Sequence, residues 1–308
     1  EARVTSAILP LRLANLPYLI ARTALCAMLS ITALAPSLGA QPSPKRATAT
    51  RLAGPAPRVD GHLDDLAWAG LVPIEDFEQQ RPIEGAAPSE RTQVFVRYDD
   101  DAIYIGARMY REHPEQILRS VSRRDGSANA EHLQVTFDTH RDRRTGYAFI
   151  ISAAGVRGDF HHSRDAENDG REFQYDPVWE GSAVVDSLGW SAEMRIPFSQ
   201  LRFPTEDKQE WGFQLDRWMP DKNEDLQWIM IPTKENGYIS RFGTLAGIAG
   251  VKARRPVELL PYVASDATRS AVTNTANPFR NPTKARAGLD AKFGIGSNLT
   301  VDATIDPD

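Results

Sequence analysis

Short segments of alternating apolar and polar residues recur along most of this 308-residue chain. An alternation with a period of two places successive side chains on opposite faces of a β-strand. Turn-forming residues separate these segments, of which the clearest are residues 92–98, 102–110, 132–138, 146–152, 190–196 and 211–217. Only residues 114–118 and 197–201 carry a helical pattern, and each is long enough for one or two turns. The sequence therefore predicts an all-β fold, an antiparallel, jelly-roll-like β-sandwich.

The composition excludes several classes of protein. Hydrophobic residues make up 41% of the chain and charged residues 25%, which is ordinary for folded protein and excludes disorder as the main state. The 36 basic and 41 acidic residues give a net charge of −5, whereas a nucleic-acid-binding protein needs a basic surface. Cys26 is the single cysteine, which excludes a disulfide framework and a multi-cysteine metal site. We therefore expect no nucleic-acid partner.

The first 40 residues have the pattern of a secretory signal peptide. Residues 24–34 form an uncharged apolar stretch that follows Arg22, and small residues at 37–40 precede a plausible cleavage point before Gln41. The alternative is an N-terminal membrane anchor, although spanning a bilayer takes about 20 apolar residues. An acidic chain that loses its only cysteine with the signal peptide fits the periplasm or outer membrane of a Gram-negative bacterium.

The mature chain divides into three segments. Residues 41–57 are rich in Pro, Ala and Thr and are predicted to be a linker. Residues 58–253 carry the strand pattern and are long enough for one large sandwich domain. Residues 254–308 end in a predicted hairpin with a turn at 294–298, and its apolar face comprises Leu289, Ala291, Phe293, Leu299, Val301, Ala303 and Ile305.

Two structures fit this two-faced hairpin. One is a soluble sheet with one buried face. The other is the beginning of a transmembrane β-barrel, whose strands place apolar residues toward lipid and polar residues inward. A barrel needs at least about eight strands, so the barrel interpretation predicts an incomplete domain at residues 254–308. In that case outer-membrane lipid is a partner.

Several strings resemble known families. Arg58-Val-Asp-Gly-His-Leu-Asp-Asp-Leu-Ala-Trp68 resembles the opening of family-9-like carbohydrate-binding modules, and residues 94–105, 176–180 and 189–198 resemble their later strands. Residues 259–308 resemble the start of a bacterial outer-membrane β-barrel domain of unknown function that follows such modules. The resemblance implies an exported glycan-binding sandwich, attached to an outer-membrane barrel and linked to carbohydrate catabolism.

A sugar site needs flat aromatic surface together with groups that hydrogen-bond hydroxyls. Trp179 and Trp218 stand at strand ends, where binding loops gather. Family-9 modules clamp a sugar between two tryptophans, and this resemblance implies Trp179 and Trp218 as the pair, with Tyr175 nearby and Trp228 in reserve. Burial in the core is the alternative for each tryptophan. Trp68 is predicted to be a structural plug.

The acidic stretch at residues 165–176 has the spacing of a calcium loop. Asp165, Glu167, Asp169 and Asp176 fall at offsets 1, 3, 5 and 12, with Gly170 at offset 6. Family-9 modules bind structural calcium, so the resemblance also implies Ca²⁺ here. The alternative is a solvated acidic loop. His161 and His162 point to opposite strand faces and are predicted not to bind a metal.

No catalytic pattern stands out. A glycosidase needs two carboxylates about 5–9 Å apart, and no spacing singles out such a pair. Signatures of serine hydrolases, phosphate loops and dinucleotide-binding folds are also missing from the sequence. The sequence thus predicts an exported, periplasmic glycan-binding module. The alternatives are a glycoside hydrolase, and an outer-membrane transport or structural protein without a sugar site.

Overall fold

A computed structural model describes residues 45–126, 129–252, 257–267, 283–295 and 299–305. The predicted signal peptide and the hairpin residues 296–298 lie outside these ranges. Within them the chain forms the strands β1 (Arg46–Thr48), β2 (Thr50–Arg51), β3 (Glu78–Arg81), β4 (Thr92–Tyr98), β5 (Ala102–Tyr110), β6 (His132–Asp138), β7 (Gly146–Ser152), β8 (Arg157–His162), β9 (Arg171–Glu172), β10 (Glu180–Asp186), β11 (Gly189–Pro197), β12 (Lys208–Met219), β13 (Glu224–Gln227), β14 (Gly243–Ala249), β15 (Val257–Ala267), β16 (Thr283–Ile295) and β17 (Leu299–Ile305). Short 3-10 helices cover Leu66–Trp68, Pro114–Gln116, Phe198–Gln200 and Ile239–Arg241.

Two sheets form the predicted sandwich. The larger sheet has the order β1-β14-β12-β6-β7-β8-β9, with β13 paired to β12 and β3 paired to β13. The smaller sheet has the order β10-β11-β5-β4-β2. The all-β prediction is confirmed. Most pairs are antiparallel, but β1 pairs with β14 and β2 pairs with β4 in parallel.

The segment predicted as a linker takes part in both sheets. Arg46–Thr48 adds β1 to the larger sheet, and Thr50–Arg51 adds β2 to the smaller one. The linker prediction is therefore wrong for residues 46–51. Strands of three and two residues are too short to show an alternation, so the sequence carries no periodic signal for them.

Alternation along the strands explains the core. Leu133, Val135 and Phe137 of β6 pack in one apolar core with Ile103 and Ile105 of β5. Trp190 and Trp211, which the sequence places inside strands, are buried in the same core. The intervening residues of each strand necessarily face outward. For β6 these outward residues lie on the exterior of the larger sheet.

A buried ionic cluster connects the two sheets. Glu131 precedes β6, and its carboxylate accepts hydrogen bonds from Arg217 Nε (2.9 Å), Arg217 Nη2 (2.6 Å) and Trp190 Nε1 (2.7 Å). Arg111, which follows β5, donates to the other carboxylate oxygen at 3.1 Å. Arg217 also donates to Thr92 Oγ1 of β4 at 2.9 Å. These buried charges are compensated, and they tie β12 of the larger sheet to β4 and β11 of the smaller sheet.

The opening motif covers part of the exterior of the smaller sheet. Trp68 packs on Ala102 and Tyr104, which alternate along β5 with the core residues. Its indole Nε1 donates to Glu193 Oε1 at 2.8 Å, and the backbone N–H of Gly61 donates to Glu193 Oε2 at 2.9 Å. Burial raises the pKa of Glu193, while these hydrogen bonds oppose the rise. The prediction that Trp68 is a structural plug is confirmed.

The last three strands form a separate antiparallel sheet in the order β15-β16-β17. The predicted hairpin is confirmed by the register of β16 and β17, which pairs Leu289 with Ile305 and Ala291 with Ala303. Leu259, Val263 and Ile305 are exposed apolar residues of this sheet. No helix within the described ranges has the length and apolar composition needed to cross a bilayer.

Candidate functional site

A cleft of about 390 Å³ lies on the exterior of the larger sheet. Strands β3, β13, β12, β6, β7 and β8 form its floor, and residues 122–126 and 167–173 contribute its walls. The alternation of side chains along each strand decides which of them face the cleft. His132 and Gln134 line the cleft because Leu133 and Val135, their neighbours along β6, fill the core.

Strand register arranges the floor in two rows. The first row crosses five neighbouring strands through Arg81, Asp225, Trp218, His132 and Ser152. The second row crosses through Asp216, Gln134, Ile150 and Gly158. Directly opposite residues in such a sheet have Cβ atoms about 4.5–5.5 Å apart. The floor therefore presents one aromatic side chain surrounded by closely spaced polar groups.

Exposed aromatic surface in the cleft comes from two residues. Trp218 is half-buried in the floor, and the Arg81 guanidinium lies 5.3 Å from the centroid of its ring. Phe173 stands on the wall and is 54% exposed. Exposed aromatic surface beside hydrogen-bonding groups is typical of a ligand site.

The carboxylates of the floor differ in their protonation. Burial, together with the nearby Asp225, raises the pKa of Asp216 well above its usual range, although Tyr238 donates a hydrogen bond to Asp216 Oδ2 at 2.9 Å. Burial also raises the pKa of Asp225, but Arg81 opposes the rise through an ion pair of 2.7 Å. Neighbouring strands thus hold one carboxyl group that favours its neutral form and one that is ion-paired.

Histidine and glutamine extend the polar floor. Burial is the main cause that lowers the pKa of His132, and the positive charge of Arg171 adds to it. The amide of Gln134 donates to Tyr238 Oη at 3.3 Å. His132 Nδ1 donates to the carbonyl oxygen of Ala130 at 3.2 Å, so in the neutral imidazole Nε2 is left to accept a hydrogen bond from a ligand hydroxyl.

Asp159 lies at the edge of the cleft and is buried. Its Oδ2 accepts hydrogen bonds from Arg124 Nη2 (2.7 Å) and from Trp179 Nε1 (2.9 Å). Its Oδ1 has no hydrogen-bond partner among the described residues. A buried acceptor without a partner is unusual, so Asp159 has capacity for one further donor.

Of the four predicted sugar-binding aromatic residues, Trp218 is the one that lines the cleft. The prediction is wrong for Trp179 and Trp228, which are 1% and 2% exposed and belong to the core. Their indole N–H groups find partners inside the protein, Asp159 for Trp179 and Asp76 for Trp228, and this allows complete burial. Tyr175 packs against the core and donates to the carbonyl oxygen of Gln200 at 2.8 Å.

The four predicted calcium ligands are held by separate partners. Asp165 accepts from the backbone N–H groups of Tyr238 (2.8 Å) and Ser240 (2.9 Å), and Glu167 accepts from Gln80 Nε2 at 3.4 Å. Asp169 pairs with Arg164, and Asp176 pairs with Arg124. Across the described ranges no three His, Cys, Asp or Glu side chains are grouped to hold a metal. These residues do not fit the expected Ca²⁺ site.

Asp165 has a structural role instead. Although burial opposes it, the hydrogen bonds from Ser240 and Tyr238 lower the pKa of Asp165. Through these bonds Asp165 connects the loop just before the wall at residues 167–173 to the segment that begins at Tyr238. The acidic stretch that has the spacing of a calcium loop thus helps to position one wall of the cleft.

Sequence reasoning missed most of the floor. Asp216 and Asp225 carry no spacing motif, because strand pairing rather than sequence distance brings them together. A usable signal was present in β6 and β12, where His132, Gln134, Asp216 and Trp218 occupy the strand positions between core residues. Polar side chains at successive outward positions of adjacent strands indicate a functional face.

Comparisons with known proteins give structural neighbours only. No protein-family model matches the chain, and no curated protein matches it. A family 9 carbohydrate-binding module from Caldicellulosiruptor kristjanssonii in complex with cellotriose is similar at 16% identity and a TM-score of 0.47, over 67% of this chain and 94% of that one. A structure of such a module in complex with glucose gives 16% identity and a TM-score of 0.45, over 68% and 97%. A protein from Bacteroides uniformis gives 15% identity and a TM-score of 0.49, over 67% and 100%.

Proposed function

We propose that the cleft on the larger sheet binds a saccharide. The observation that carries this proposal is the floor itself, where Trp218 stands between Asp225 and His132 in one row and beside Asp216 in the next. A sugar ring has an apolar face and a rim of hydroxyl groups. Aromatic surface suits the face, and carboxyl, imidazole and amide groups suit the hydroxyls.

The protonation of the floor supports hydroxyl recognition. Asp225 is ion-paired with Arg81 and can accept hydrogen bonds, whereas Asp216, whose pKa is raised by burial, can also donate one. A hydroxyl group both donates and accepts, so a floor that offers both kinds of partner can satisfy it. A purely apolar ligand would cover the remaining acceptor sites of these groups without replacing the water that hydrates them, and a buried polar group left unsatisfied costs about 1–3 kcal/mol.

Binding of glycans to the full chain tests the proposal. A glycan array selects ligands, and titration calorimetry then compares the wild type with Trp218→Ala. Aromatic contacts contribute about 0.5–1.5 kcal/mol beyond the area they bury, so we expect at least about a fivefold loss of affinity.

Tyr110→Ala is the matched control. Tyr110 lies on the smaller sheet, is half-buried and has the Arg91 guanidinium 4.7 Å from its ring centroid, as Trp218 has Arg81. Its replacement should leave affinity unchanged. Equal losses in both variants, or no loss in Trp218→Ala, would remove the cleft as the binding site.

Glycoside hydrolysis is a second candidate function. Asp216 favours its protonated form beside the ion-paired Asp225, and a glycosidase uses one protonated and one ionised carboxyl group. Release of reducing ends from a bound oligosaccharide, abolished in Asp216→Asn, would establish it. Binding without turnover would leave the cleft a binding site.

Export is a separate proposal, supported by the apolar stretch at residues 24–34 with Arg22 before it. Those residues lie outside the described ranges. We expect the secreted protein to begin at Gln41, and N-terminal sequencing of the exported protein measures this directly. An intact N-terminus on the exported protein would favour the membrane anchor. Attachment to an outer membrane through residues 254–308, and a role in carbohydrate catabolism, stay predictions from the sequence.

A further inference from the structure

Two arginine side chains on the outward face of the larger sheet, those of Arg81 and Arg171, line the cleft, and they differ in how their charge is compensated. Arg81 forms an ion pair with Asp225 at 2.7 Å. Arg171 forms no ion pair with any residue in the described ranges. Arg157 lies on the opposite face of the sheet, because it pairs in register with the core residue Ile151. Uncompensated guanidinium groups in a cleft are candidates for binding an anion.

Neutral groups hold the Arg171 guanidinium in place. Arg171 Nε donates to the carbonyl oxygen of Glu167 at 2.8 Å, and its guanidinium lies 4.7 Å from the ring centroid of Phe160. The Arg171 side chain is half-buried, so its position is fixed while its positive charge stays available.

The charge of Arg171 acts on the floor. It adds to burial in lowering the pKa of His132 in β6, and it opposes the rise in the pKa of Asp225 in β13 and of Tyr238. These three residues belong to different parts of the floor and its border. Arg171 and Trp218 line the same cleft, so a ligand over Trp218 can reach Arg171.

Two acidic groups of the cleft have arginine partners other than Arg171, and two others have neutral hydrogen-bond donors. Asp225 is paired with Arg81, and Asp159 is paired with Arg124. Asp125 Oδ1 accepts the backbone N–H of Asp159 at 2.8 Å, and Glu167 accepts from Gln80. Because none of these groups forms an ion pair with Arg171, a ligand that brings its own negative charge would neutralise Arg171, which a neutral sugar cannot do.

We propose that the saccharide carries a carboxylate, as in a uronic acid residue, and that Arg171 binds this group. The inference rests on the proposed function. A guanidinium matches a planar carboxylate through two parallel hydrogen bonds, whereas a hydroxyl takes one. Trp218 then contacts the ring, and the carboxylate points toward the wall at residues 167–173.

The test compares each uronate oligosaccharide with its own methyl ester, which keeps the ring and removes the charge. Oligomers of galacturonate, glucuronate and mannuronate are titrated into the full chain, together with a sulfated oligosaccharide. We expect a uronate to bind about tenfold or more tightly than its ester, since hydrogen bonds to charged groups contribute about 1.5–3 kcal/mol.

Arg171→Gln should reduce this preference while ester binding is retained, which shows that the cleft still folds. Arg171→Lys keeps the charge but loses the paired donors, and should retain part of the preference. Arg144→Gln is the control, because Arg144 is exposed in the turn between β6 and β7 and lies outside the cleft.

Separate outcomes overturn the inference and the proposed function. Equal binding of acid and ester, or equal loss of both in the arginine variants, overturns the inference while the Trp218 result stands. Tighter binding of the sulfated oligosaccharide than of any uronate overturns the carboxylate assignment. Absence of binding to every saccharide overturns the proposed function, and the inference with it.

Discussion

Replacing Glu131 by alanine should strongly destabilise the sandwich. The Glu131 carboxylate is fully buried and accepts two hydrogen bonds from Arg217, one from Arg111 and one from Trp190. Removing one member of a buried ion pair leaves uncompensated charge and costs about 3–5 kcal/mol. Domains of this kind unfold with about 5–15 kcal/mol, so Glu131→Ala should remove a large fraction of the total.

Urea denaturation of the full chain, followed by tryptophan fluorescence, measures this loss as a drop in the free energy of unfolding. Glu131→Gln keeps the shape and one acceptor, and should cost less than Glu131→Ala. Glu235→Ala is the control, because Glu235 forms an ion pair with Arg241 in which both side chains are nearly half exposed. Exposed pairs contribute about 0–1 kcal/mol. If Glu131→Ala costs no more than Glu235→Ala, the buried cluster does not stabilise the contact between the sheets.

Two further predictions concern the fold. Gly189 has φ +134° at the start of β11, and a Cβ atom there would overlap the carbonyl oxygen of Met109. Gly189→Ala should therefore lower the free energy of unfolding by about 1–3 kcal/mol or more, measured by thermal or urea unfolding. Gly155→Ala is the control, because Gly155 has a positive φ but open space around its Cα, and equal effects of the two variants would show that the overlap is unimportant. Burial, with added repulsion from Arg171, lowers the pKa of His162 to about 3. Below pH about 6.5 His162 is therefore protonated in the unfolded state but stays neutral in the folded state. Its contribution should lower the free energy of unfolding by about 1.4 kcal/mol per pH unit as pH decreases toward 3. His162→Gln should remove this slope in urea titrations at several pH values, and identical slopes in both proteins would contradict it.

The alternation of apolar and polar residues predicted the sandwich because it reports directly which side of a strand is buried. Residues 92–98 and 132–138 form β4 and β6 with the predicted bounds. Strands β1 and β2 escaped prediction since they are held by pairing with β14 and β4, not by a pattern of their own. A strand must therefore be long enough to show an alternation before the sequence can predict it.

The candidate site was predictable only in part. Position at a strand end was a poor guide to exposure, because Trp179 is buried with its indole N–H bonded to Asp159. Trp218 also stands near a strand end, but it faces the exterior of the larger sheet, where no core residue covers it. The neighbours that define the cleft come from strands far apart in sequence, as with Asp225 and His132 on either side of Trp218. Such proximity depends on the register of strand pairing, which cannot be read directly from the sequence.

Saccharide binding at Trp218 can be observed on the indole N–H signals of the protein. The chain has six tryptophans, and each gives one such signal in an ¹H–¹⁵N correlation spectrum. Trp179 and Trp228 are buried with their N–H groups bonded to Asp159 and Asp76, whereas Trp218 lines the cleft. Addition of a bound saccharide should shift the Trp218 signal and leave those of Trp179 and Trp228 in place. A shift of the Trp179 or Trp228 signal with an unchanged Trp218 signal would contradict binding in this cleft.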